Sequence, residues 1–319
     1  MDNVLCQLPA RLIPWFAAHQ RDLPWRRDRE PYHVWLSEIM LQQTRVEAVK
    51  GYYLRFLAAL PTVEALAEAQ EAELLKLWEG LGYYSRVRNL QKAARVVMTE
   101  YGGVFPAEYG AIRALPGIGD YTAGAIASIC FDLPTPAVDG NVLRVVSRVL
   151  DDHSCTDDPK VRRRFRDRLS EVYPREDPGT FTQALMELGA TVCVPNGAPD
   201  CGSCPLSELC KAKQAGTIPL LPVRAPKRGR KKQRLTVLLL TCGERLAVCR
   251  RPETGLLAGL WELPNVEEVL TPQEAIRLCE DWGLRPETLE KTVSRQHIFT
   301  HILAKFRNQC VAQIKYKIS

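Results

Sequence analysis

Apolar positions recur at helical spacing through the first two thirds of the chain. VEALAEAQEAELLKLWEGL (63–81), NLQKAARVVMTEYG (89–102) and NVLRVVSRVL (141–150) each carry an apolar stripe with helical period. Thr62 stands where the first would be N-capped, and Gly102-Gly103 stop the second. HVWLSEIMLQQT (33–44) reads as another helix, one rich in apolar residues, and strand patterns are scarce in this part. The period then changes. LTVLLL (235–240) and RLAVCRR (245–251) read as two strands joined by Thr241-Cys242-Gly243-Glu244. A helical stretch from Thr271 to Trp282 and a strand-like IKYKI follow. The pattern predicts a mostly helical domain over 1–216 and a smaller α+β domain over 234–319, short enough to read as reduced or truncated.

Residues 217–233 lie between them, rich in proline and basic side chains. Seven Lys/Arg fall between Arg224 and Arg234. Such a segment is a tether, extended by proline and solvated by charge, and a phosphate contact is the other use of its charge. At 319 residues the chain suits two domains, and 46% hydrophobic with 25% charged is ordinary globular composition. A net charge of +6 is a mild excess, compatible with a polyanionic partner. The first residues lack the apolar core of a signal peptide, and no run approaches the roughly 18 apolar residues of a membrane span. A cytoplasmic, nucleoid-associated protein in a reducing compartment is expected.

That expectation bears on the eleven cysteines. Seven are scattered and read as small apolar residues. The other four, Cys193-x7-Cys201-x2-Cys204-x5-Cys210, lie within eighteen residues. In a reducing compartment such clustering points to metal. Four thiolates on one loop suit an iron–sulfur cluster or zinc; zinc ribbons use two separated CxxC pairs, and only one is present.

LPGIGDYTAGAIAS (115–128) places Pro116-Gly117-x-Gly119 before a small-residue helix, Thr122 to Ser128. Free N–H groups at that turn and helix start can face a phosphate oxygen, and an ordinary glycine-capped helix pair is the plainer alternative. Two acids stand out. Glu38, among apolar neighbours, would be held protonated by burial, as a general acid needs; the alternative is a surface acid. Asp139, in PAVDGNV before a helix, would be kept ionised by the helix N-terminus; the alternative is a simple N-cap. Two carboxylates with opposed environments can cleave a glycosidic bond, one protonating the leaving group and the other stabilising the oxocarbenium ion.

LSEIMLQQT, GLGYYSR (80–86), LPGIGDYTAGAI, AVDGNVLRV and the four cysteines, in this order and spacing, resemble the MutY-type adenine DNA glycosylases of the helix–hairpin–helix superfamily. The resemblance is close over 20–215 and looser beyond. It implies a two-lobed helix–hairpin–helix domain with a [4Fe–4S] cluster on Cys193, Cys201, Cys204 and Cys210. It implies a monomer acting on double-stranded DNA that holds adenine opposite 8-oxoguanine or guanine. The adenosine would be flipped into the cleft between lobes, since the reacting bond is inaccessible in the stack. By the same resemblance, Glu38 protonates adenine N7 and Asp139 stabilises the sugar cation, with Asn141 and Tyr121 as polar helpers. Trp25, Arg26 and Gln183 match adenine-pocket positions, Gln43, Leu81 and Tyr83 match residues that wedge into the duplex, and Gly117 and Gly119 contact its backbone. The bifunctional relatives that resemble endonuclease III carry a Schiff-base lysine where Tyr121 stands, so a monofunctional enzyme is expected.

One departure is the first cysteine gap, x7 where the family has x6; the extra residue falls in VPNGAPD. The C-terminal part resembles the family's Nudix-like module, opening at LAVCRRPETGLLAGLWELPN (246–265). The Glu-rich metal helix of a Nudix hydrolase is missing, so no nucleotide hydrolysis is expected. Phe299-Thr300-His301 match the family's loop that reads 8-oxoguanine; without the resemblance they are a turn between strands. A glycosylase for another base and a silent DNA-binding iron–sulfur protein are the competing readings. Glu38 argues against the silent protein, and the second domain argues against another base.

Overall fold

The computed structural model describes residues 4–226, 229, 231–255 and 257–289, and the strand backbones at 297–298, 302–304 and 311–317. Phe299, Thr300 and His301 lie outside the described residues. The chain forms two compact units, Met1–Ala225 and Pro226–Ser319.

The first unit is helical: α1 (Leu8–His19), α2 (Pro31–Leu41), α3 (Val46–Ala59), α4 (Val63–Glu68), α5 (Glu71–Leu77), α6 (Ser85–Tyr101), α7 (Tyr109–Ala114), α8 (Asp120–Phe131), α9 (Gly140–Leu150), α10 (Pro159–Ser170), α11 (Pro178–Thr191) and α12 (Lys211–Ala215). It has two hydrophobic cores. One gathers side chains from α2 to α8 around Trp35, Phe56 and Trp78. The other joins Leu8, Leu12 and Phe16 of α1 to Val146, Phe165 and Phe181 from α9, α10 and α11. The chain therefore starts in the second lobe, builds the first, and returns. Each fully buried large side chain contributes about 1.5–3 kcal/mol, so each lobe holds itself together. Ser128 of α8 and Thr182 of α11 share a buried hydrogen bond of 2.8 Å, tying the lobes at the back.

Local signals set most helix ends. Thr62 Oγ1 accepts from Ala65 N at 3.1 Å, and Gly102 closes α6 at φ +61°. The apolar stripe over 63–81 is divided, however, by extended backbone at Ala69 and Gln70. Gln91 Nε2 donates to Leu66 O and Ala69 O, and Arg95 Nε donates to Ala67 O at 3.0 Å. These side chains of α6 satisfy carbonyls that a continuous helix would have used itself.

The segment expected to be a tether from 217 packs on this unit as far as Ala225, whose N donates to Asp157 Oδ2 at 3.0 Å. Arg148 Nε donates to Leu221 O at 3.0 Å, and Thr156 N donates to Val223 O at 2.9 Å. Among the described residues no helix is long and apolar enough to cross a membrane.

The second unit holds β1 (Lys231–Gln233), β2 (Thr236–Cys242), β3 (Arg245–Leu246), β4 (Cys249–Arg250), β5 (Trp261–Glu262), β6 (Asn265–Val266), α13 (Pro272–Asp281), β7 (Arg285–Leu289), β8 (His297–Ile298), β9 (Ile302–Ala304) and β10 (Val311–Lys317). The main sheet runs β3-β2-β10-β7, with β6 also on β2; β10 is parallel to β2 and antiparallel to β7. Leu238 and Leu240 alternate inward from β2 and pack on Ala275 and Cys279 of α13. A capping box between Thr271 and Glu274 starts that helix. RLAVCRR is two strands and not one, because β3 pairs with β2 whereas β4 pairs with β5.

Candidate active site

A cleft of about 760 Å³ opens between the two lobes of the helical unit, within the usual range for ligand sites. Trp25, Arg26, Glu38, Gln43, Gly117, Gly119, Tyr121, Asp139, Asn141 and Gln183 all line it. Motifs spread over 160 residues thus meet on one surface.

Glu38 comes from the middle of α2, whose residues 32 and 34–40 are all buried. It is 6% exposed, and burial pushes its carboxyl up to about 7. Tyr121, in the first turn of α8, donates its hydroxyl to Glu38 Oε2 and pulls the other way. The charge of Asp139 raises Glu38 further, and Arg26 lowers it. Burial and the two carboxylates hold the Tyr121 phenol well above its ordinary range, so it remains a donor.

Asp139 is the N-cap of α9. Its Oδ1 accepts from Val142 N at 2.8 Å and its Oδ2 from Asn141 Nδ2 at 2.7 Å. The helix start was expected to depress its pKa. The net direction is upward, because burial outweighs these bonds to the charged form. Asn141 is itself held: Arg144 Nη2 donates to Asn141 Oδ1 at 2.8 Å and to Gly189 O at 2.6 Å, while Arg144 Nε donates to Cys193 O at 2.7 Å. Gly189 is required here, since a Cβ would lie 2.5 Å from Asn141 Cβ.

Trp25 is buried in the first core, edge-on to Tyr53 at 5.5 Å. Arg26 donates to Glu187 Oε2 at 2.8 Å and to Arg21 O at 3.2 Å. Gln183 is half-buried on α11 and also borders a second cavity of about 280 Å³ that shares Trp25 and Arg26 as wall.

The hairpin between α7 and α8 lies on the cleft rim. Gly117 is exposed at φ +78°, and a Cβ there would stand 2.7 Å from Asn89 Cβ. Gly119 differs from expectation: its φ is −95°, and a Cβ would meet nothing within 4 Å. Its backbone does not demand glycine. What its bareness leaves is an exposed surface at a helix start.

Gln43 and Tyr83 occupy left-handed backbone at φ +59° and +49°, costing about 1–2 kcal/mol each. Arg86 holds both turns, donating to Gln42 O at 2.6 Å and to Ile39 O, Leu81 O and Gly82 O. Gln43 is exposed and Tyr83 half-buried. Leu81 does not present itself as a wedge: it is 7% exposed and packed into the first core, because the 78–82 turn folds its side chain inward.

Cys193, Cys201, Cys204 and Cys210 line one small cavity beside α9 and α11. Burial, with the neighbouring thiols, pushes Cys204 up to about 11. Arg148 Nη1 donates to Cys193 Sγ at 3.2 Å. Among the described residues no group of three or more His, Cys, Asp or Glu is gathered tightly enough to hold a metal ion. Four thiol donors on one loop are of a kind that suits an iron–sulfur cluster or zinc.

Arg21, Arg86, Arg144 and Glu187 were not singled out from sequence. Glu187 follows Gln183 by four and Arg144 follows Asn141 by three, so helical spacing from a known cleft residue was the available signal.

Residues 36–171 match the HhH-GPD superfamily of base excision DNA repair proteins, and residues 236–315 match the NUDIX domain. The adenine DNA glycosylases of Rattus norvegicus and Mus musculus are each 36% identical to this chain, over 91% and 92% of it and 67% and 68% of their own length. A thermostable thymine-DNA glycosylase of known structure superposes with a TM-score of 0.61 at 27% identity, over 67% of this chain and 98% of that one.

Proposed function

Because this chain belongs to the adenine DNA glycosylases of the HhH-GPD superfamily, we propose that its cleft excises adenine mispaired with 8-oxoguanine or guanine. The enzyme class is a DNA glycosylase, a hydrolase of N-glycosyl bonds serving base excision repair. The observation that carries the finer reading is the pair Glu38 and Asp139. A buried and a half-buried carboxylate face one cleft, one kept protonated near neutrality and the other surrounded by donors to its charged form.

A flipped adenosine in this cleft would lie against Trp25, Arg26 and Gln183. Glu38, with its proton oriented by Tyr121, delivers it to N7, and the base becomes a better leaving group. Asp139, fixed by Val142 N and Asn141, stabilises the cationic sugar or captures it covalently. Water then gives the abasic site. Tyr121 occupies the position of the Schiff-base lysine, so the enzyme is monofunctional. Gln43 and Tyr83, held by Arg86, fill the vacated stack, and Gly117 and Gly119 offer backbone to phosphate. Arg162 and Arg224 on the cleft wall add positive charge. Phe299, Thr300 and His301 read the 8-oxoguanine partner, and the enzyme acts as a monomer.

Cys193, Cys201, Cys204 and Cys210 would hold a [4Fe–4S] cluster. Bound, it supplies a rigid loop closure and keeps the thiols as thiolates. Burial raises the Cys204 and Cys210 thiols, and a bound metal would have to overcome that.

The test is an excision assay on A:8-oxoguanine, A:G, T:G and oxidised-pyrimidine duplexes, with and without alkali. Strand breaks at adenine only, and only after alkali, are expected. Release of another base, or full activity in Glu38→Gln, would overturn the reading.

A further inference from the structure

The cleft contains a third carboxylate that the proposed mechanism does not use. Glu187 on α11 has a side chain 0% exposed, among the most buried charges in the unit. It accepts from Arg21 N at 3.0 Å, Arg21 Nε at 2.7 Å, Arg21 Nη2 at 2.7 Å and Arg26 Nη2 at 2.8 Å. A buried carboxylate so fully paired is ionised, and both guanidinium groups are fixed by it. Arg26 is pinned from two more sides, by Arg21 O at 3.2 Å and over the Phe16 ring at 5.0 Å. Its side chain is only 12% exposed, and it lines the same cleft as Glu38.

We propose that Glu187 is a positioning residue that holds Arg26 against the cleft wall and cancels its charge, so that Glu38 keeps its proton for the base. This rests on the reading of Glu38 as the acid. The groups acting on Glu38 are Tyr121 and Cys130 from α8, Asp139 from the start of α9, and Arg26 from the turn after α1. Helices α3 and α6 also pack on α2; the largest influences on Glu38 do not come from them, and Arg86 of α6 is engaged with Ile39 O and Gln42 O. Burial keeps the Cys130 thiol neutral, and Tyr121 remains a phenol. Arg26 is therefore the one cation in the set, and it favours the carboxylate form of Glu38. Without Glu187, that guanidinium would have Glu38 and Asp139 as the carboxylates at hand. Glu38 would ionise at lower pH, and the cleft would lose its acid in the range where it works. Burial would raise Glu187 itself, but its bonds from Arg21 and Arg26 outweigh this and bring it down to about 2. The brace therefore stays charged at every working pH.

Single-turnover excision across about pH 5 to 9 tests this on the full chain. In Glu187→Gln the alkaline fall in rate should move down by about one pH unit. That is about tenfold slower above the fall and nearly unchanged well below it. Arg21→Met removes a cation and leaves Glu187 wholly to Arg26, so its fall should move up. The double variant should follow Glu187→Gln, since Arg26 has lost its partner in both. Opposite displacements from two members of one brace are not what loss of structure gives. A uniform loss at all pH, or displacement of both variants in one direction, would overturn the proposal. Circular dichroism checks folding, and if Glu187→Gln does not fold, the upward displacement in Arg21→Met decides alone. If Glu38→Gln keeps excision, the acid assignment itself fails. If Glu38→Gln is dead while the brace variants leave the fall unmoved, only the role of Glu187 fails.

Discussion

Glu38→Gln should gain stability as it loses activity, and the gain should grow as pH rises from about 4.5 and be complete above about 7. The wild-type carboxyl titrates at about 7 in the folded chain against an ordinary value of 4.5. A gap of about 2.5 pH units is worth about 3 kcal/mol. The folded value is the higher one. Stability from Glu38 is therefore fully present below about 4.5 and is lost as pH rises through about 7. Gln has nearly the same size, accepts the Tyr121 hydroxyl through its amide oxygen, and stays neutral throughout. Wild type and variant should melt together near pH 4. By pH 9 the wild type should trail by about 6–12 °C, taking about 2–4 °C per kcal/mol for a domain of this size. Thermal unfolding followed by far-ultraviolet circular dichroism over that range measures it, beside an excision assay that should read no base release. If the two melting curves run parallel at every pH, Glu38 is not a buried neutral acid. If the variant is the weaker at every pH, the carboxylate is ionised and paired, and the mechanism proposed for it is wrong.

Tyr121→Phe removes the hydroxyl that lowers Glu38, so the alkaline fall in excision should move upward while the plateau rate drops for want of orientation; a pH–rate profile separates the two. Arg144→Met leaves Gly189 O, Cys193 O and Asn141 Oδ1 without their donor, and should cost about 2–4 kcal/mol in urea unfolding together with a slower excision at every pH. Gly117→Ala forces a Cβ at φ +78° against Asn89, and should cost about 1–2 kcal/mol and weaken binding to matched and mismatched duplexes alike, read by fluorescence anisotropy.

The features legible in the sequence are those decided within one turn of chain. Thr62, Gly102 and the Thr271–Glu274 box fix helix ends by local hydrogen bonds, and each could be read in place. The burial of Glu38 was legible because its own helix is apolar on every side. The break at Ala69-Gln70 was not, because Gln91 and Arg95 reach it from α6, about twenty-five residues along the chain. The same holds for Arg86, which supports turns at 42 and 82, and for Glu187, which meets Arg21 from 166 residues away. The inward turn of Leu81 belongs to this class too. Its motif suggested exposure, and its packing partners decide otherwise.

Asp139 shows where local reasoning stops. Its N-cap geometry is as the sequence suggests, yet its pKa moves upward, because a helix start acts over one turn whereas desolvation depends on everything that closes over the carboxylate. What separates the two acids is therefore not one raised and one lowered. Both are raised by burial, and they differ in the donors each can call on. Glu38 accepts from a single neutral phenol, and Asp139 accepts from Val142 N and the Asn141 side chain, with the Arg144 cation also favouring its charge. Whenever Asp139 is charged, its charge helps Glu38 to keep its proton. The two acids are coupled in this way, so a change that strips donors from Asp139 reaches Glu38 as well. Asn141→Ala should thus lower the alkaline fall of the rate, although residue 141 makes no bond to Glu38.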